Sequence, residues 1–130
     1  MKVYTLSGKS GTGKSFQAMN LCNELNIESI IDDGLFIYHS RVEAGMSAKR
    51  HTRVGAIKTA LFTLEEHRDS VVSKIALRNP DSILVIGTSD RMVEKIVKRL
   101  NLPDIYRKIH IEDISGADDI KTAKRQRIYQ

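Results

Sequence analysis

Residues 8–15 read Gly-Lys-Ser-Gly-Thr-Gly-Lys-Ser, and no other stretch restricts the fold as much. The octet meets G-x-x-x-x-G-K-[ST] at every fixed position, a match that ordinary residue usage gives about once in two hundred chains of this length. Its surroundings sharpen the reading. Lys2 to Leu6 is a run of β-formers and reads as a strand. After Lys14, the residues Ala18, Leu21, Cys22 and Leu25 recur at helical spacing. A glycine-rich turn between strand and helix gathers backbone N–H groups around one point, backed by the positive helix end. Gly8, Gly11 and Gly13 permit the angles and close approach that such a turn needs. Lys14 then reaches phosphate oxygens as a point charge, and Ser15 offers its hydroxyl to Mg²⁺. The expected phosphate-binding set is Gly8, Lys9, Ser10, Gly11, Thr12, Gly13, Lys14, Ser15 and Phe16.

The rest of the chain reads as strands alternating with helices. A second strand is expected from Ile27 to Asp32, followed by an Asp33-Gly34 turn. Leu35 to Tyr38 is a third strand, hairpinned with Val42 to Ala44. Ile57, Ala60, Leu61 and Leu64, then Arg68, Val71, Val72 and Ile75, trace helical faces up to Asn79, where Pro80 stops the helix. Thr63 and Glu66 have capping-box spacing, which would split this stretch into two helices. Ile83 to Ile86 is continuously apolar, as in a strand buried on both faces of a parallel sheet. Met92, Val93, Ile96, Val97 and Leu100 form the next helix face, with Asp90 as a candidate cap. Tyr106 to Ile111 is another strand, and a last helix is expected from Ser115. This order predicts a three-layer α/β fold with a parallel sheet and a small hairpin after the second strand. One domain is expected over residues 1–130, with a continuation beyond the basic helical pattern that reaches Gln130.

Composition excludes several classes. With 41% hydrophobic and 28% charged residues the chain is neither disordered nor collagen-like. No apolar run approaches the roughly 20 residues of a membrane span. Cys22 is the single cysteine, so no internal disulfide can form and a cytoplasmic setting is expected. Net charge is +5, which suits phosphate-rich partners, but aromatics are 5% with no tryptophan, leaving few platforms for stacking bases. His39, His51, His67 and His110 share no metal-ligand spacing and are expected at the surface or in packing.

On the octet and its strand-helix setting, the chain resembles the P-loop NTPases. Its order of elements resembles the nucleoside-monophosphate-kinase side of that superfamily. The segments IIDDGL (30–35) and AGMSAKRHTRVGAIKTALF (44–62) are similar to segments of bacterial P-loop ATP-binding proteins. The resemblance implies binding of ATP, or GTP, with Mg²⁺. It implies a metal or base role for Asp32 and Asp33, with Asp32 the metal candidate beside Ser15. Lys49, Arg50 and Arg53 fall where such kinases bind an anionic acceptor, and Arg125 and Arg127 fall near the start of a lid. Lys14, Asp32, Asp33, Arg50 and Arg53 are thus the expected catalytic residues.

One departure is visible. ILVIGTSD (83–90) ends in Gly87-Thr88-Ser89 where many P-loop proteins carry a metal-binding Asp, so efficient hydrolysis is not expected. The same segment matches the guanine motif N-K-x-D only at its Asp, which favours ATP. Two readings follow. One is Mg²⁺-dependent nucleotide binding with slow hydrolysis or phosphoryl transfer. The other is a nucleotide-sensing module that binds RNA or a protein through its basic surface.

Overall fold

Strand alternation and two apolar helix faces shape the molecule. The computed structural model of the chain describes residues 1–9, 13–48 and 53–114. Along them run β1 (Lys2–Ser7), α1 (Lys14–Leu25), β2 (Ser29–Asp32), β3 (Leu35–Tyr38), β4 (Arg41–Gly45) and α2 (Arg53–Ala60). Then follow α3 (Glu65–Arg78), β5 (Ser82–Gly87), α4 (Asp90–Arg99), β6 (Ile105–His110) and α5 (Ile111–Ile114). The six strands form one sheet in the order β4-β3-β2-β5-β1-β6. β2, β5, β1 and β6 run parallel, while β3 and β4 pair antiparallel beyond β2. The α/β class is as expected, but the sheet is mixed. Asp33-Gly34 turns β2 directly back into β3, so the hairpin joins the main sheet.

All of β5 is buried, as its unbroken apolar run predicts. Because side chains alternate along a strand, β1 and β5 feed two separate cores. Val3, Ile83 and Val85 pack with Ile31, Phe36, Val71, Ile75, Val93 and Ile96 on the face covered by α3 and α4. Tyr4, Leu6, Leu84 and Ile86 pack with Ala18, Leu21, Ile109 and Ile111 on the face covered by α1. Each such Val, Leu or Ile contributes about 1.5–3 kcal/mol by leaving water. The sheet is thus held from both sides.

Several boundaries differ from the sequence reading, each for a local reason. β2 begins at Ser29 rather than Ile27, because the Ile27 N–H is used in capping α1. Asn26 closes that helix at φ 57°, and the Ile27 N–H donates to the Cys22 carbonyl at 3.0 Å. The run up to Asn79 is two helices, the first over Arg53–Ala60. The expected Thr63–Glu66 capping box does not form. Leu64 is the N-cap without a side-chain bond, while Thr63 Oγ1 donates to the Lys58 carbonyl at 2.9 Å and closes α2 instead. The α4 cap is Ser89, not Asp90: Ser89 Oγ accepts from the Met92 N–H at 3.2 Å. β6 is shifted by one residue, since Ile111 already starts α5. The helix expected from Ser115 lies outside the described residues.

Candidate functional site

β1 and β5 are neighbours whose following helices leave to opposite faces, α1 to one and α4 to the other. That divergence opens a crevice at the C-terminal ends of the two strands, the usual ligand position in open α/β sheets. The glycine-rich octet starts there. The Gly8 N–H donates to the Gly87 carbonyl at 3.2 Å and extends the β1–β5 pairing by one step. Gly13 then takes φ 81° as the N-cap of α1, a left-handed angle that a side chain would strain. Lys14 folds back, and its Nζ donates to the Gly8 carbonyl at 2.6 Å. Ser10, Gly11 and Thr12 lie outside the described residues.

A cavity of about 530 Å³ opens over this point, lined by Gly13, Lys14, Ser15, Phe16, Asp32 and Thr88 among others. Partial burial holds the Lys14 ammonium below its usual pKa, and the negative charge of Asp32 opposes that shift. The sheet therefore brings Lys14, Ser15 and Asp32 to one cavity from two elements distant in sequence. Phe16 is 53% exposed and forms part of the cavity wall. Lys9 is exposed and Gly8 half-buried.

The other expected residues are placed differently. Asp33 also lines the cavity, but it is first of all a turn residue. Asp33 and Gly34 have φ 53° and 88° between the paired residues Asp32 and Leu35, as a tight hairpin turn requires. The Asp33 carboxylate accepts from Ser47 Oγ at 3.0 Å, and its carbonyl accepts from the Ala48 N–H at 2.9 Å. Arg53 is exposed at the first position of α2 and is not among the cavity linings. Lys49, Arg50, Arg125 and Arg127 lie outside the described residues.

The strand end beside the octet is Gly87, in register with Ser7. Geometry explains why no carboxylate stands there. A Cβ on Gly87 would come within 2.8 Å of Val93 Cγ1 and 3.2 Å of Met92 Sδ, because the first turn of α4 presses onto the strand end. Among the described residues no group of three His, Cys, Asp or Glu could hold a metal.

Instead, an unforeseen cluster sits beside the octet. Asp90 accepts from Ser7 Oγ at 3.1 Å, and His110 Nε2 lies 2.8 Å from Asp90 Oδ2. Asp113 approaches the other ring nitrogen of His110 at 3.5 Å. The hydrogen bond between Asp90 and His110 raises the His110 pKa and lowers that of Asp90. These groups are remote in sequence, so no spacing rule marks them; only a strand order placing β1 between β5 and β6 could. Cys22 is chemically quiet, since burial pushes its thiol up to about 11. No family model, curated protein or solved structure matches this chain.

Proposed function

We propose that the chain is a P-loop nucleotide-binding protein that takes Mg²⁺–ATP, or GTP less favourably, with slow hydrolysis or phosphoryl transfer. One observation carries this reading: Lys14 folds back with its Nζ on the Gly8 carbonyl, in a cavity that Asp32 and Ser15 also line. The start of α1 supports it. Gly13 provides no side-chain cap and the first turn has no acidic residue, so its N–H groups suit an external anion.

Residues 8–16 would hold the phosphates, Lys14 matching the β- and γ-oxygens. Ser15 and Asp32 would hold Mg²⁺, whose remaining ligands would be phosphate oxygens and water. The ion would neutralise charge on the transferring phosphoryl group. Gly87 at the strand end favours slow turnover. It equally favours the second reading, in which the bound nucleotide controls association with RNA or a protein. Turnover separates the two.

Calorimetry with Mg²⁺–ATP tests the assignment. A charge-assisted hydrogen bond is worth about 1.5–3 kcal/mol, so Lys14→Ala is expected to weaken binding roughly ten- to a hundredfold. Equal affinity in the two proteins would remove the phosphate-loop reading.

A further inference from the structure

A second cavity, of about 480 Å³, lies between α2 and α4 beside the first, and the two share Asp33, Ala60, Thr88 and Met92. Its size falls within the range of small-molecule sites. The walls are aliphatic. α2 contributes Ala56, Ile57 and Ala60, whose small alanines leave the space unfilled, and Met92 closes it from α4. Ile57 is 56% exposed although it faces this hollow, an arrangement that an apolar ligand would relieve.

Part of the lining is basic. Arg91 and Lys95, one turn apart on α4, both line the cavity and make no ion pair among the described residues. Of the two acids on the same helix, Glu94 pairs with Lys108 and Asp90 with His110. Asp33, the acid in the same lining, has its carboxylate engaged by Ser47 Oγ. An anionic head is repelled by Asp33 and attracted to Arg91 and Lys95.

We infer that this cavity binds a small amphipathic anion, its apolar body against Ile57, Ala60 and Met92 and its carboxylate or phosphate head on Arg91 and Lys95. The site is distinct from the nucleotide reading, because Lys14, Ser15 and Asp32 do not line it. Shared walls nevertheless couple the two cavities, with Met92 between them. Met92 Sδ is held by the Thr88 N–H at 3.3 Å and hydroxyl at 3.4 Å, so displacing it reaches the first cavity directly.

Titration of protein labelled at methionine methyl carbons tests this, with Met92→Leu assigning the signal. The probes are octanoate and octyl phosphate, which distinguish the two head groups, and octylammonium, which reverses the charge. At least one anion is expected to move the Met92 signal saturably, while octylammonium binds at least tenfold more weakly. Arg91→Ala with Lys95→Ala is expected to raise Kd at least tenfold. Ile57→Glu should do the same, and all three side chains are exposed enough to be replaced without unfolding. An unmoved Met92 signal, equal binding of octylammonium, or unchanged affinity in the double variant would overturn the proposal. Lys14→Ala is expected to retain octanoate or octyl phosphate binding while losing ATP, so failure of one site is distinguishable from failure of the other.

Discussion

Two residues beside the glycine turn behave in opposite ways. Gly87 is required for its smallness. Replacing it with Asp, the residue many P-loop proteins carry at that strand end, forces a side chain into Val93 and Met92. Gly87→Asp is expected to destabilise by about 1–3 kcal/mol, the usual cost of overpacking, and not to improve metal binding. Chemical denaturation reads the first and Mg²⁺ titration the second. His110 acts through charge. Its pKa is raised by Asp90, so its contribution to stability is complete below about pH 6.5 and lost as pH rises through the folded value. The depressed Asp90 contributes above about pH 3.9 and loses that contribution as pH falls. The pair therefore stabilises most between these limits. The difference in Tm between the protein and His110→Gln should peak near pH 5–6 and shrink toward pH 8. Melting curves across that range check it, and a constant difference would show that the contact is packing rather than charge.

The elements explain why two glycines of similar backbone angle carry unequal weight. Gly13 has φ 81° and Gly34 φ 88°, yet a Cβ on Gly13 meets nothing within 4 Å. On Gly34 it would stand 2.3 Å from the Met46 carbonyl oxygen and 2.9 Å from Thr59 Cγ2. The hairpin is held there by α3 as well. His67, stacked on Phe62 with ring centres 4.6 Å apart, places its Nε2 2.7 Å from the Gly34 carbonyl. Gly13→Ala should thus cost about 1–2 kcal/mol, from the backbone angle alone. Gly34→Ala should cost clearly more, and it should disturb Asp32 as well. Parallel denaturant titrations would rank them; the reverse order would show that the hairpin turn yields easily. These elements also mark what could be read from sequence. β5 and α4 were legible because long apolar patterns dominate their local choices. The Thr63–Glu66 cap was not, because the buried Phe62, at φ 56°, sets where α2 ends and leaves Thr63 facing back to Lys58. The cluster of Ser7, Asp90 and His110 depends on strand order, which local periodicity does not carry.

At the scale of the molecule, the proposed nucleotide site has its loop and its Lys14, while the strand-end carboxylate is excluded by packing. Phosphoryl transfer relies on positive charge placed against the moving oxygens. An added Arg can be worth 10³–10⁵ in rate, and Arg53 stands outside both cavity linings. Turnover by residues 1–130 is therefore expected on the order of one per minute or less. Multiple-turnover phosphate release measures it, and several per second, lost in Lys14→Ala, would mean that the site is complete as it stands. The sheet has a further consequence at its margins. Its outer strands among the described residues are β4 and β6, with Arg41 exposed on one and Arg107 on the other. Open strand edges invite pairing with another copy, and cationic side chains there oppose it. An edge-to-edge meeting that sets Arg41 or Arg107 against a like residue of the other copy brings like charges together, a repulsion that salt screens within about 8 Å at physiological ionic strength. Self-association, followed by light scattering, should accordingly increase with added salt, as the bases that keep copies of the chain apart are screened.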